Sequence, residues 1–181
     1  MSTLKVNSII PVAGVPTGGG GGIVQIKQTV KTSFQSLATK DTVTDVVSVS
    51  ITPTSSSSKI FIMVSGESGD NNGNTFGMFF ISRVVSGTTT DLALGDSRGS
   101  SIRCSMSKTK FIASVNSTAS TMTESFGINF LDSPSTTSEC TYKLRMTNAH
   151  DSTMCVGGTF ADDDDNRTSV PTIITVMEVS A

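Results

Sequence analysis

Tryptophan is absent and tyrosine occurs once, at Tyr142. Charged residues make up only 15% of the chain, and 13 Lys and Arg against 15 Asp and Glu leave a net charge of -2. A nucleic-acid surface needs a basic stripe or aromatic platforms for stacking, so both shortages argue against one. Histidine is also single: His150 sits in "TNAHDST". Acid–base catalysis needs a positioned partner, and neither a triad arrangement nor a G-x-S-x-G elbow accompanies it. The expectation is a non-enzymatic protein without a cofactor. Three cysteines, Cys104, Cys140 and Cys155, form an odd set without CxxC spacing, which argues against a disulfide framework or a zinc site. They read as small, partly buried thiols of a protein folded in a reducing cytoplasm. No apolar run approaches the ~20 residues of a membrane span, so no membrane insertion is expected. The early apolar stretch after Lys5 is broken by Asn7, Ser8 and Pro11, unlike a signal peptide.

Serine and threonine fill much of the space that charge leaves, at roughly three residues in ten. Thr favours strands and Ser favours turns. Eight methionines read as fillers of core gaps. Strand patterns dominate. In "IVQIKQTV", Val24, Ile26, Gln28 and Val30 form a nearly apolar set against Ile23, Gln25, Lys27 and Thr29, the pattern of a half-buried strand. "VVSVSI" alternates likewise, and "TPTSSSS" ends it as a turn. "KIFIMVSG" is nearly continuous in apolar residues, which predicts a strand covered on both faces. "TFGMFFISRVV" reads as a strand bent at Gly77. "KFIASV", "ESFGINFLD", "CTYKLRMT" and "TIITVMEV" complete the set. Residues 37–45, "LATKDTVTD", allow one short helical turn. Roughly eight or nine short strands without helical periodicity predict an all-β chain, an antiparallel β-sandwich of jelly-roll type.

Five glycines, Gly18, Gly19, Gly20, Gly21 and Gly22, separate this body from an N-terminal segment. A phosphate-cradling loop would need a strand before it and a helix after it, and here a strand follows. The division is therefore an extended arm over residues 1–17, a glycine hinge over 18–22 and a β domain over 23–181. The arm carries Leu4, Val6, Ile9 and Ile10, too few apolar residues to fold alone. The glycine tether spans at most about 16–18 Å. An apolar arm outside a fold is a docking element, because uncovered it promotes aggregation.

Two polar loops are candidates for a distal surface: Asp70, Asn71, Asn72 and Asn74 in one, and Asp162, Asp163, Asp164 and Asp165 in the other. The Asp run lacks the alternating ligands and turn glycine of a calcium loop and reads as a solvated, self-repelling segment. "NST" at Asn116 and "NRT" at Asn166 match the glycosylation pattern but lack a secretory context. A carbohydrate-binding module is an alternative, weakened by the shortage of aromatic rings.

The phrases "MSTLKVNSI", "IVQIKQTVKT", "VSVSITPTSSSSKIFIMVSG" and "ITVMEVSA" resemble small virion appendage proteins of tailed phages, especially phages of marine cyanobacteria. The resemblance covers both ends of the chain and part of its first half. It implies a fibre-like or decorating component of the virion, made in the bacterial host cytoplasm and often a homotrimer. Its N-terminal segment, here Leu4 to Ile10, attaches to other virion proteins, and its β domain projects outward to a host-surface glycan or protein. The chain is short for a tail fibre and has no shaft repeat. The expected role is thus a short tail or head fibre, with a capsid decoration protein as the alternative.

Overall fold

Branched and aromatic residues alternating with Ser and Thr favour extended backbone, because such side chains pack well on a pleated surface. The computed structural model describes residues 22–71, 76–109, 122–160 and 168–180. Among the described residues eleven strands form: β1 (Ile23–Lys31), β2 (Gln35–Leu37), β3 (Thr44–Ile51), β4 (Lys59–Asp70), β5 (Phe76–Val85), β6 (Thr88–Leu92), β7 (Met106–Thr109), β8 (Thr123–Asp132), β9 (Cys140–Asn148), β10 (Met154–Val156) and β11 (Thr172–Val179). The described residues contain no helix.

In the first sheet, β4 pairs with β8 on one edge. Its other edge holds β11 and then β10, end to end, against Lys59–Ser65 and Ser68–Asp70. β1 and β2 lie beyond them. In the second sheet, β5 pairs with β9 on one edge and with β7 and β6 in succession on the other. β3 lies beyond β9. The pairs β1/β2, β6/β7 and β10/β11 each occupy one position, which leaves eight positions. Numbered along the chain, these run 1-8-3-6 in the first sheet and 2-7-4-5 in the second, with every neighbour antiparallel. That is jelly-roll order.

The core lies between the sheets. Ile60, Ile62 and Val64 of β4, Ile174 and Val176 of β11, and Phe126 and Ile128 of β8 face Val47, Val49, Phe79, Ile81, Tyr142, Leu144 and Met146. Phe79 and Phe126 stack across the gap with centroids 4.6 Å apart. Each such aliphatic or aromatic side chain contributes about 1.5–3 kcal/mol on full burial. Met78, Met146 and Met154 are buried as gap fillers, whereas Met63 is exposed. Gly77 marks a close approach, since a Cβ there would lie 2.8 Å from Sδ and Cε of Met154. The β5–β6 hairpin turns through Ser86 and Gly87, both with positive φ (49° and 82°), as a two-residue turn matched to strand twist requires.

Three expectations need correction: the run "KIFIMVSG" is not covered on both faces, since Met63 on its outer side is 40% exposed. No helical turn forms over 37–45: Leu37 ends β2, Lys40 bridges to Asn148, and Asp41 turns the chain with φ 56°. In β1 the apolar set is not the buried one. Val24, Ile26 and Val30 are exposed, while Lys27 and Lys31 share the register of the inward Val176 and Thr172. The expected strand "KFIASV" lies outside the described residues.

Candidate interaction surfaces

The two ends of the sandwich differ. At one end the chain enters at Gly22, whose carbonyl accepts the Ser180 N–H at 3.1 Å. Of the proposed hinge glycines, Gly22 is the one described, just before β1. Gly18 to Gly21 lie outside the described residues, as do the docking residues Leu4, Val6, Ile9 and Ile10. Glu178 fastens this end. It is fully buried, and its Oε2 accepts Gln25 Nε2 at 2.6 Å while Oε1 accepts the Thr54 backbone N–H and hydroxyl, each at 2.7 Å. Burial alone would raise its pKa; donors from Gln25, Thr54 and Ser58 outweigh that and hold it down at about 2. The sequence pattern placed Glu178 beside Ile174 and Val176, and that alternation was the only signal of its burial.

Asp132, the last residue of β8, holds the same end from inside. Arg83 Nη1 donates to both its carboxylate oxygens, at 2.8 and 2.6 Å, and the Tyr142 hydroxyl donates to Oδ2 at 2.8 Å. Burial, followed by Asp132, pushes the Tyr142 phenol far above its ordinary value. The group ties β5, β8 and β9 together, so this tyrosine is a core brace.

At the opposite end Asn71, Phe76, Asn148 and the turn from Ala149 to Thr153 come together. The Asn71 N–H reaches the Thr153 carbonyl at 3.1 Å, and the Ala149 N–H reaches that of Phe76 at 3.0 Å. Buried Asn148 shapes the turn: its Nδ2 donates to the Ser152 carbonyl and its Oδ1 accepts the His150 N–H. His150 packs beside Phe76, ring centroids 6.2 Å apart. Of the proposed loop residues, Asn71 is exposed here, whereas Asp70 is buried as the last residue of β4 and is no surface group. Asn72, Asn74 and Asp162 to Asp165 lie outside the described residues. The Asp run is flanked by a hairpin base, where Thr159 N–H meets Thr168 O and Gly158 bridges to Ser169, inserted between β10 and β11.

The two outer faces differ in charge. On the second sheet, Lys143 Nζ lies 2.6 Å from Asp45, and Arg145 reaches Asp45 at 3.6 Å and Asp91 at 3.0 Å. Ser82 donates to Asp91 and Ser50 bonds Thr141. These groups are ion-paired, and beside them on the same side of β5 Met78, Phe80 and Ser82, which pair with Thr147, Arg145 and Lys143, are buried. On the first sheet, register aligns Ile26, Met177, Phe61 and Leu131 in one row across four strands. The next rows are Gln28, Thr175, Met63 and Asn129, then Val30, Ile173, Ser65 and Gly127. These three rows hold no charged residue. Ile26 is 54% exposed, Val30 47%, Met63 40% and Leu131 46%, and Ile23 beside them is 58% exposed.

Among the described residues no group of three or more His, Cys, Asp or Glu side chains is placed to hold a metal ion. The cysteines are free; Cys140 and Cys155 are buried and Cys104 is half-buried. Burial pushes the Cys155 thiol up to about 11.

No family model and no curated protein matches the chain. Among solved structures it is similar to a chain in the structure of infectious bursal disease virus, Gx strain, at 11% identity and a TM-score of 0.39, over 94% of this chain and 46% of that one. This chain therefore spans about half the length of that one. The jelly-roll assignment rests on the strand order.

Proposed function

We propose that the chain is a non-enzymatic structural component of a tailed-phage particle, a short tail or head fibre held by its N-terminal arm and displaying the sandwich outward. The observation that supports this reading is the placement of the ends. The arm joins the sandwich at Gly22, beside Thr52 to Ser58 and the C-terminal Ser180, and the cluster of Asn71, His150 and Asp151 lies at the far end. A chain anchored at one end presents the other. Glu178 and Asp132 reinforce the anchored end, where load on an arm would enter β1, β11 and β4. Other virion proteins are the partners of the arm, and a host-surface glycan or protein is the partner of the far end.

The test is deletion of residues 1–17 in the phage that encodes the chain, followed by quantification of the protein in purified particles. The expected result is a folded protein that stays in the lysate and is lost from particles. Incorporation at the normal level would remove the arm from the anchoring role. Substitution of exposed Asn71 and Asp151 should leave incorporation intact and lower adsorption to host cells.

A further inference from the structure

The three central rows on the outer face of the first sheet hold seven apolar side chains in twelve positions and no charge. A sheet with one solvated face shows polar residues there. Here Ile26, Val30, Met63 and Leu131 occupy those positions, and the lysines of β1 turn toward the other side. We propose that this face is where copies of the chain pack on one another, sheet against sheet.

Three features select a second copy as the occupant. First, self-association across a two-fold axis sets a surface against itself, so any charge near the axis would meet its own like. The three central rows contain none, and the charges of β4 stand at the margins, Lys59 at one end and Glu67 at the other. Second, the exposed apolar side chains present on the order of 500 Å², and half-buried Phe61, Ile173 and Met177 enlarge it toward the ~800 Å² per partner of a stable interface. Third, the central strands of the face, β11 and β4, have neighbours on both sides, so over them two such faces meet through side chains alone, as sheets do in a sandwich. An extended peptide such as residues 1–17 laid across the same face would bring unpaired N–H and C=O groups against apolar side chains, at a cost for each. The inference is independent of the particle reading.

The experiment is sedimentation equilibrium of the full chain and of the double variant Ile26→Glu/Met63→Glu. Both positions are exposed in the single chain, so the variant folds, as circular dichroism will verify. The wild type is expected to associate at micromolar concentration, and the variant's dissociation constant to rise at least about a hundredfold. Leu131→Lys, on the opposite edge strand, gives an independent reading, and Ser48→Glu on the second sheet should leave association unchanged. A wild type monomeric up to hundreds of micromolar overturns the proposal. So does a double variant that associates like the wild type, which would locate the contact elsewhere. Deletion of residues 1–17 should preserve association; a monomeric wild type that associates only after this deletion would identify the arm as the occupant.

Discussion

Glu178→Gln separates a carboxylate that holds the arm end together from one that is merely buried. The side chain keeps its size but offers one oxygen where the carboxylate offers two, and its NH2 must face a donor from Gln25 or Thr54. A carboxyl held at about 2 rather than the ordinary 4.5 corresponds to about 3 kcal/mol in favour of the folded, ionised form. The folded value lies below the unfolded one, so this contribution is complete above pH 4.5, declines as pH falls from there, and is gone below pH 2. The amide imitates the protonated acid. The variant should therefore be about 3 kcal/mol less stable than the wild type at pH 7, and the gap should close as pH falls toward 2.

Urea unfolding followed by circular dichroism, at one fixed protein concentration because association shifts apparent stability, measures this directly. The variant's midpoint at pH 7 should fall by about 1–2 M. Two results would refute the reasoning. Equal midpoints at pH 7 would mean that the donors gain nothing from the charge. A deficit of the same size at pH 7 and pH 2.5 would mean that the loss is steric, and that the carboxylate's low pKa has no part in it.

The other predictions are simpler. Asp132→Ala strands the Arg83 cation and the Tyr142 hydroxyl inside the sandwich and should cost about 3–5 kcal/mol in chemical denaturation, whereas Tyr142→Phe, which leaves the Arg83 pair intact, should cost about 1–2 kcal/mol. Gly158→Ala places a Cβ 2.0 Å from the Thr168 carbonyl oxygen at φ 143°, so it should lower the melting temperature, and wild-type stability in that variant would mean that the hairpin base re-forms freely. Native protein should release at most one equivalent of thiol to Ellman's reagent at pH 8, from half-buried Cys104, and three after denaturation; rapid reaction of Cys155 would contradict its burial and its raised pKa.

Strand existence was legible wherever a long segment alternated. β3, β4, β8, β9 and β11 follow the expected segments because burial between two sheets demands period two. The short strands β2, β6, β7 and β10 were not legible. "QSL" and "MCV" are too short to show a period, and "TTTDL" carries one apolar residue, Leu92, on an edge. β5 pairs β6 and β7, β4 pairs β10, and β10 in turn pairs β2. Glu178 was hidden for another reason: a charged residue in an alternating strand normally marks the solvent side, and only the donors of Gln25, Thr54 and Ser58, distant in sequence, reverse that. Of the proposed site residues, Asn71 stands on the far surface, and Asp70, equally polar in sequence, is taken inward by the last pairing of β4 with β10.

The reversal in β1 and the apolar run in β4 bear on one question. Alternation states which residues share a face and is silent on which face meets the core. In β1 the core side fell to Gln25, Lys27, Thr29 and Lys31 because β1 is an edge strand, where long side chains pass beneath the sheet and reach water past the rim, and because Gln25 must point inward to reach Glu178. That choice sends Ile26 and Val30 outward, next to Met177 and Ile173. β4 contributes Phe61 and Met63 to the same side from a run that read as covered on both faces. In the single chain only its Ile60, Ile62 and Val64 side is covered. Sheet-on-sheet association of copies reconciles the two: the run in β4 then describes the assembled state. The pattern is coherent, since the three central rows of the first sheet's outer face carry no charge while the second sheet's outer face carries Lys143, Arg145, Asp45 and Asp91.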